Sequence, residues 1–375
     1  MKIVIIGGHF TPALAVMEAL PKNVQVTYIG RKYLFEKDKT VSLEYQTITK
    51  SGIPFVSLTT GRIQRTFTLQ TIPSLLKVPY GLFQSFEILR KCKPDIIVGF
   101  GGYLSVPVCL AGKILGIPII IHEQTLEVGL ANKIIAHFAK MICISWKSSE
   151  AFFPKGKTVL TGNPLPESML ENSQGGYQSS GGLPGITIIG GSSGSHAVNI
   201  LIEQCLPQLL EKFILFHQTG DAREFDDYER LQTIKHTLPE KLQKRYTIMK
   251  YIEPKHFISI LKQTDLVISR CGINTITALL FVKKPSLLIP LPISQRNEQY
   301  KNAQILQQAG IAEIVQQQTL TGKKLFDKIV EMFNNKKTYE KKAASIKEET
   351  DPFSATKKII AVITAVYQED AKAKN

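Results

Sequence analysis

The sequence of 375 residues lacks several features that would assign it to a narrow class of proteins. Its five cysteines are odd in number and show no CxxC spacing, which argues against a disulfide framework. No apolar run is long enough to cross a bilayer, because the best candidate, 106–121, is interrupted by Lys113 and two prolines. The opening strand runs directly into glycine, so we expect no signal peptide. These absences predict a protein of the reducing cytoplasm.

Other absences concern chemistry. No GxGxxG turn is followed by an acidic residue at the dinucleotide spacing, which argues against a nicotinamide or flavin enzyme. No Ser/His/Asp order and no nucleic-acid module stand out, and we expect no cofactor, no metal and no nucleic-acid partner. Asp226 and Asp227 are adjacent carboxylates, which we interpret as exposed surface residues.

The composition indicates an ordinary globular protein with an anionic partner. Hydrophobic residues make up 43% of the chain and charged residues 21%, while the formal net charge is +15. Such a charge favours binding to nucleic acid, nucleotide, phosphate or an anionic membrane. The length is more typical of two domains than of one.

The stretch 265–303 carries the strongest local signal. It reads as strand, glycine turn at Gly272, helix and second strand, followed by Pro290–Leu291–Pro292. This pattern predicts a βαβ unit whose helix start can face an anion. Ligands of such sheets lie beyond the carboxyl ends of the strands, which is where Gly272 and 290–299 fall.

In the first half, three polar or glycine clusters each follow a predicted buried strand: 7–9, 99–103 and 122–124. We expect them to meet at one end of a parallel sheet and to form a binding site. The linker 165–185 is rich in Ser, Gly, Gln and Pro and predicts a domain boundary. After it, IIGG recurs at 188–191, and a phosphate-type turn at 190–195 precedes a predicted helix at 197–210. Ile252 is positioned to wall a flat base.

One segment supports two interpretations. Residues 68–93 have apolar residues in roughly helical spacing with a basic rim, while Pro73 and Pro79 argue against one unbroken helix. An apolar, basic-rimmed segment fits a monotopic membrane contact, but a core helix with a solvated basic face fits as well.

Eight motifs now occur in a fixed order: GGH…PALAV (7–16), GFGGYLSVP (99–107), IHEQ…GLAN (121–132), TGNP (161–164), GGSSGS…N (190–199), HQTG (217–220), RCG…T (270–275) and PLP…Q…NA (290–303). Along nearly the whole chain this resembles the MurG family, the N-acetylglucosaminyltransferases of peptidoglycan synthesis. The resemblance implies an α/β fold of the GT-B type, with two Rossmann-like domains facing across a cleft and a C-terminal helix that can return to the first domain. We predict an acceptor domain at 1–164, a linker at 165–185, a donor domain at 186–350 and a C-terminal helix and tail at 351–375.

The resemblance also implies the reaction and its residues. N-acetylglucosamine would pass from UDP-GlcNAc to muramyl-pentapeptide on undecaprenyl diphosphate, without metal, at the cytoplasmic face of an anionic inner membrane. Histidine is the residue type that titrates near neutrality, and His9 is our general-base candidate, with Glu123 as second candidate or as a residue that orients the acceptor. The predicted acceptor-binding residues are Gly7, Gly8, Gly101, Gly102, Tyr103 and Asn132. The predicted UDP-sugar-binding residues are Asn163, Gly191, Ser192, Ser193, Ile252, Arg270, Gly272, Thr275, Glu298 and Gln299.

The chain departs from the family pattern at several positions. The family's opening GGxGGH loop keeps one glycine pair here, and an Arg after TGNP is replaced by Pro166. The ribose-binding Glu is replaced by Ala278, for which Glu298 could compensate; Thr125 and Val106 replace an Asn and a Gly. Two alternatives therefore stay open: a related transferase with another UDP-sugar or lipid-linked acceptor, and a non-catalytic protein that binds nucleotide or lipid diphosphate.

Overall fold

The computed structural model describes residues 1–33, 41–61, 71–170, 182–191, 194–222, 224–346 and 351–374. The chain divides into two compact units. The first comprises Met1–Pro166 together with Pro352–Asn375, and the second comprises Glu167–Asp351.

The first unit is built on a parallel sheet of seven strands in the order β3-β2-β1-β4-β5-β6-β7. The strands are β1 (Lys2–Ile6), β2 (Gln25–Gly30), β3 (Phe55–Ser57), β4 (Ile96–Gly99), β5 (Ile119–Glu123), β6 (Met141–Ile144) and β7 (Thr158–Leu160). The connecting helices are α1 (Phe10–Ala19), α2 (Leu43–Lys50), α3 (Thr71–Cys92), α4 (Ser105–Ile114) and α5 (Leu130–Ala136). The unbroken apolar runs of β1 and β4 are buried on both faces, as parallel strands covered by helices require.

The second unit has a parallel sheet of six strands in the order β10-β9-β8-β11-β12-β13. The strands are β8 (Gly185–Ile189), β9 (Ile214–Gln218), β10 (Tyr246–Met249), β11 (Leu266–Ser269), β12 (Ser286–Leu288) and β13 (Ala312–Ile314). The helices are α6 (His196–Glu203), α7 (Leu206–Lys212), α8 (Asp227–Thr237), α9 (Glu240–Gln243), α10 (Pro254–Gln263), α11 (Ile273–Val282), α12 (Glu298–Gln308), α13 (Gly322–Asn334) and α14 (Lys336–Ala344).

A last helix, α15 (Pro352–Lys374), belongs to the first unit. Its buried face, Ile359, Ile363 and Val366, joins the core formed by β1, β2 and β4. The predicted return of the C-terminal helix and the two Rossmann-like domains are therefore confirmed. Each sheet reverses its strand order between its first and fourth strands, and such switch points are where α/β proteins bind ligands.

Two predictions about helices were wrong. Residues 71–92 form one helix despite Pro73 and Pro79. Pro73 lies in the first turn, where its missing N–H needs no partner, and Pro79 is exposed, so the carbonyl it leaves unpaired is accessible to water. In the second unit the predicted helix 197–210 is two helices, because Pro207 lies in the first turn of a new helix, α7, which begins at Leu206.

Candidate active site

Glycine lets two loops approach closely at the switch point of the first sheet. The loop after β1 contains Gly8, and the loop after β4 contains Gly101 and Gly102, both with φ of +73°. A Cβ on Gly102 would lie 2.7 Å from Gly8 Cα, and a Cβ on Gly8 would clash with the backbone of Gly101. Backbone atoms cannot move aside as flexible side chains do, so only glycine fits at these positions.

His9 lies where Gly8 meets Gly101 and Gly102, a close approach that we call the glycine contact. Its N–H donates to Phe100 O at 3.1 Å, which fixes the start of α1 against the end of β4. A Cβ on Gly101 would lie 3.2 Å from His9 Cδ2 and 3.6 Å from Asn132 Nδ2, so His9 and Asn132 both border Gly101. Burial lowers the pKa of His9, and the Glu123 carboxylate opposes that effect. The neutral imidazole, which can accept a proton, is therefore favoured.

The Glu123 carboxylate is buried and fully occupied by its own domain. Oε1 accepts hydrogen bonds from Thr125 N at 3.1 Å and Thr125 Oγ1 at 2.7 Å. Oε2 accepts from Gly129 N and Asn132 Nδ2, both at 3.0 Å. The carboxylate thus caps the N-terminus of α5 and holds Asn132 beside Gly101. This arrangement suits a residue that orients the site better than one that takes up a proton.

His122, in β5, connects the end of the sheet that carries the glycine contact to the loop after β7. Its Nε2 lies 3.2 Å from Gly162 O and 3.3 Å from Ser145 Oγ. Burial, followed by the neighbouring His9, lowers the pKa of His122 to about 4, while the Gly162 carbonyl opposes them. The sequence placed His122 in a cluster but gave it no role, because Gly162 lies forty residues further on.

Three buried polar atoms at this edge have no hydrogen-bond partner among the described residues: His122 Nδ1, Gln124 Oε1 and Asn132 Oδ1. Buried polar groups in proteins are nearly always paired. A polar ligand or an ordered water could supply the missing hydrogen-bond partners of these three atoms.

Tyr103 and Asn163 complete the predicted residues of the first unit. Tyr103 is half-buried at the end of the second glycine loop. Asn163 is 5% exposed and follows β7, so it lies in the first unit rather than with the other predicted donor-binding residues.

In the second unit, a glycine turn follows β8 at the second switch point. Gly191 and Gly194 have φ of +88° and +79°, and a Cβ on Gly194 would clash with Thr219 O. Gln218, at the end of β9, donates from Nε2 to Gly191 O at 2.8 Å and holds the turn. The sequence did not single out Gln218, although the HQTG motif contained it. Ser192 and Ser193 lie outside the described residues.

Arg270 connects three loops through side-chain hydrogen bonds. Its Nε donates to Ser195 Oγ at 2.9 Å, and Nη1 donates to Ile289 O at 3.0 Å and Pro290 O at 3.3 Å. Its Nη2 donates to Gln317 Oε1 at 2.6 Å. With its guanidinium engaged in this way and 7% exposed, Arg270 fixes the strand ends relative to one another.

Gln299 joins the same two strand ends. Its Oε1 accepts from Cys271 N at 3.3 Å and Leu291 N at 3.0 Å. One turn further along α12, Asn302 donates to Cys271 O at 3.0 Å. These bonds fix the backbone immediately before Gly272.

Gly272 opens α11 toward free space. It is exposed, its added Cβ would meet nothing within 4 Å among the described residues, and as the N-cap residue it has no side chain with which to cap the helix. The first-turn N–H groups of α11, including that of Thr275, have no intrahelical acceptor, and the helix dipole favours an anion here. Ile252 and Glu298 are half-buried in the loop after β10 and at the start of α12.

Asp227 corrects the interpretation of 226–227 as exposed surface. It is 6% exposed and accepts hydrogen bonds from Asn199 Nδ2 at 2.7 Å and Arg230 Nη2 at 2.6 Å, with His196 Nδ1 at 2.8 Å. Among the described residues, no group of His, Cys, Asp and Glu has the arrangement of a metal site.

Comparison with known proteins adds to this geometry. The model of the glycosyltransferase family 28 N-terminal domain matches residues 6–144, and that of the family 28 C-terminal domain matches 185–358. A UDP-N-acetylglucosamine–N-acetylmuramyl-(pentapeptide) pyrophosphoryl-undecaprenol N-acetylglucosamine transferase 2 of Bacillus cereus (strain ATCC 10987) is 34% identical over 351 residues, covering 90% of this chain and 93% of the relative. A transferase of the same name, without the number, from Clostridium botulinum (strain 657) is 33% identical over 350 residues, covering 90% and 92%.

Solved structures agree on the fold. The crystal structure of Acinetobacter baumannii MurG has a TM-score of 0.70 and 26% identity, covering 97% of this chain and all of that one, 100%. The glycotransferase of kitacinnamycin has a TM-score of 0.69 at 16% identity, covering 97% and 98%, and is similar in fold alone. The chain belongs to glycosyltransferase family 28, within the family of UDP-N-acetylglucosamine–N-acetylmuramyl-(pentapeptide) pyrophosphoryl-undecaprenol N-acetylglucosamine transferases.

Proposed function

We propose that this protein transfers N-acetylglucosamine from UDP-GlcNAc to the muramyl-pentapeptide of the undecaprenyl-diphosphate-linked acceptor, converting lipid I to lipid II in peptidoglycan synthesis. The observation that carries the proposal is the extent of the match to transferases of this name, 34% identity over 90% of the chain. The site geometry of each unit supports it.

The first unit binds the acceptor and removes its proton. A hydroxyl of the muramyl sugar attacks the anomeric carbon of the donor, and its proton passes to the imidazole of His9. Burial keeps His9 neutral and able to accept it. Glu123 fixes Asn132 beside the glycine contact, and Asn132 presents its unpaired Oδ1 to the acceptor.

The second unit binds the donor and receives the leaving group. The bond between the anomeric carbon and the UDP oxygen breaks, and negative charge develops on the diphosphate. The open N-terminus of α11 at Gly272 and the turn at Gly191 supply N–H groups for this charge. Arg270 and Gln299 hold the strand ends from which these turns extend.

Ribose recognition departs from the family pattern. Ala278 is fully buried in α11 and has no polar atom to offer a hydroxyl. Glu298, half-buried at the start of α12, is the carboxylate we assign to this role. Glu298→Ala should raise the KM for UDP-GlcNAc about 10-fold or more, because a charge-assisted hydrogen bond to the ribose is lost. An unchanged donor KM in Glu298→Ala would show that Glu298 does not bind the ribose.

The first unit contacts the membrane through α3, α4 and α5. These helices expose large apolar side chains: Tyr80, Phe83, Leu110, Ile114, Leu130 and Ile134. Phe83 and Ile114 are 62% and 63% exposed, and Lys113 and Arg90 are exposed nearby in sequence. Apolar residues with basic neighbours favour the interface of an anionic bilayer. Within the described chain no helix has the length and apolarity to span a membrane.

The reaction is tested with the purified full chain, a short-prenyl muramyl-pentapeptide diphosphate acceptor and a panel of radiolabelled UDP-sugars. We expect transfer from UDP-GlcNAc and loss of transfer in His9→Ala. If only another UDP-sugar supports transfer, that sugar is the donor and the proposal of UDP-GlcNAc is wrong. If the protein binds UDP but transfers no sugar, it is non-catalytic. For the membrane contact, Phe83→Glu and Ile114→Glu should reduce flotation with anionic vesicles, whereas Leu160→Glu, at an exposed apolar residue of β7, should not.

A further inference from the structure

Arg31 lies at the same edge of the first sheet as the glycine contact. β1 and β2 pair in register up to Ile6 with Ile29, and Gly7 N donates to Ile29 O at 2.8 Å. Continuing that register by two residues brings Arg31 to the level of Gly8. Its main chain is fixed there, because Ser42 Oγ donates to Arg31 O at 2.7 Å.

The guanidinium of Arg31 lies over the ring of Tyr103, with Cζ 5.4 Å from the ring centroid. Tyr103 ends the second glycine loop, so this contact directs the cation that follows β2 toward the loops that border His9. Arg31 is exposed, and among the described residues its guanidinium makes no hydrogen bond. Five N–H donors therefore remain available in a planar group of fixed position.

Two N–H groups of the loop after β1 are already used within the first unit. The N–H groups of Gly7 and His9 are taken by Ile29 O and Phe100 O. Pro12, in the first turn of α1, has no N–H. A side-chain donor at this end of the sheet would add to the N–H groups that the loops still offer a diphosphate.

The edge also lacks positive charge from its histidines. Burial lowers the pKa of both His9 and His122, which favours their neutral forms, and Glu123 adds a carboxylate. Glu44 is a second carboxyl group, hydrogen-bonded to Tyr28 beside Gly7. Burial raises the pKa of Glu44, while Tyr28 and then Arg31 oppose the rise.

We propose that Arg31, aligned by Tyr103, binds the diphosphate of the lipid-linked acceptor. The inference rests on the proposed function and deepens it, because it names the side chain that directly follows β2 as the cationic partner of the acceptor. Arg31 forms paired N–H···O bonds to the phosphate oxygens and acts together with the glycine loops beside it.

The experiment measures binding and transfer separately. Binding of the short-prenyl muramyl-pentapeptide diphosphate in neutral detergent is compared for the wild type, Arg31→Gln and Arg31→Lys. Lys22→Gln is the control, since Lys22 is an exposed cation before the opposite end of β2. We expect Arg31→Gln to weaken acceptor binding about 10- to 100-fold and to raise the acceptor KM by a similar factor, with the donor KM unchanged. Arg31→Lys should recover part of the loss.

Three outcomes would overturn the inference. The first is acceptor binding that is equal in Arg31→Gln and Lys22→Gln. The second is an equal loss on the matching monophosphate acceptor, and the third is an effect seen only with anionic vesicles, which would make Arg31 a membrane contact. A further variant, Glu44→Gln, tests whether Arg31 serves only to balance that carboxyl group; in that case Arg31→Gln would cost nothing in the Glu44→Gln background. If the wild type binds acceptor through Arg31 but transfers no sugar, the proposed reaction fails while this inference stands.

Discussion

Asn132 Nδ2 and Gly129 N converge on the same oxygen of Glu123, each at 3.0 Å. The carboxylate therefore fixes both the start of α5 and the side chain that borders Gly101. The hydrogen bonds of this buried acid are all to groups of its own domain, whose positions they fix.

Glu123→Ala should destabilise the first unit by about 2–4 kcal/mol, because the N–H groups of Thr125 and Gly129 lose the carboxylate that they donate to in a buried site. Denaturant unfolding measures this change. Glu87→Ala, at an exposed position of α3, should have little effect. A Glu123→Ala protein of normal stability with a lost acid limb in its pH profile would instead make Glu123 the base.

Gly102→Ala should destabilise the protein more than Gly116→Ala and raise the acceptor KM. The two glycines have φ of +73° and +71°, so both variants strain the backbone by about 1 kcal/mol. Only at Gly102 would the new Cβ also meet Gly8 Cα, at 2.7 Å, whereas at Gly116 it would meet nothing within 4 Å. Equal unfolding free energies for the two variants would contradict the close approach of the loops.

The pH profile of transfer should keep its plateau below the ordinary pKa of histidine. Burial lowers the pKa of His9, so the neutral base persists as pH falls through 6.5, and kcat/KM declines only at more acidic pH. His9→Gln should lose about 100-fold or more in kcat. His137→Gln, at an exposed histidine, should leave both rate and profile unchanged. An acid limb centred above 6.5 would contradict the assignment.

Gln299→Ala should raise the KM for UDP-GlcNAc about 10-fold with little change in the acceptor KM. Its Oε1 holds the N–H groups of Cys271 and Leu291, so its loss frees the backbone before Gly272. Gln308→Ala, exposed at the end of the same helix, is the control. A change confined to the acceptor KM would argue against a donor site at Gly272.

Local patterns predicted the sheets well, because buried parallel strands read as unbroken apolar runs such as 3–6 and 186–189. The helix α2 was missed, although Ser42 caps it by accepting from Tyr45 N at 3.1 Å and Glu44 follows in the first turn. Its apolar positions were too few to reveal a helical period.

Site residues also divide into those that a local pattern reveals and those whose partners are distant in sequence. Glycines that end strands are visible in the sequence, because the turn and the strand are neighbours in the chain. The hydrogen bonds of Arg270 cannot be read from a local pattern, because their acceptors are distant in sequence: Ser195, Ile289, Pro290 and Gln317. Arg31 was overlooked for a similar reason, because its aromatic partner belongs to a loop that follows β4.

The membership of α15 in the first unit has a consequence for synthesis on the ribosome. Its residues Ile359 and Ile363 pack against strands made from the first hundred residues, so that core stays incomplete until the last helix has emerged. The second unit, contiguous in sequence, can fold earlier. A released chain that ends before residue 352 should therefore protect the second unit from protease while the first remains susceptible.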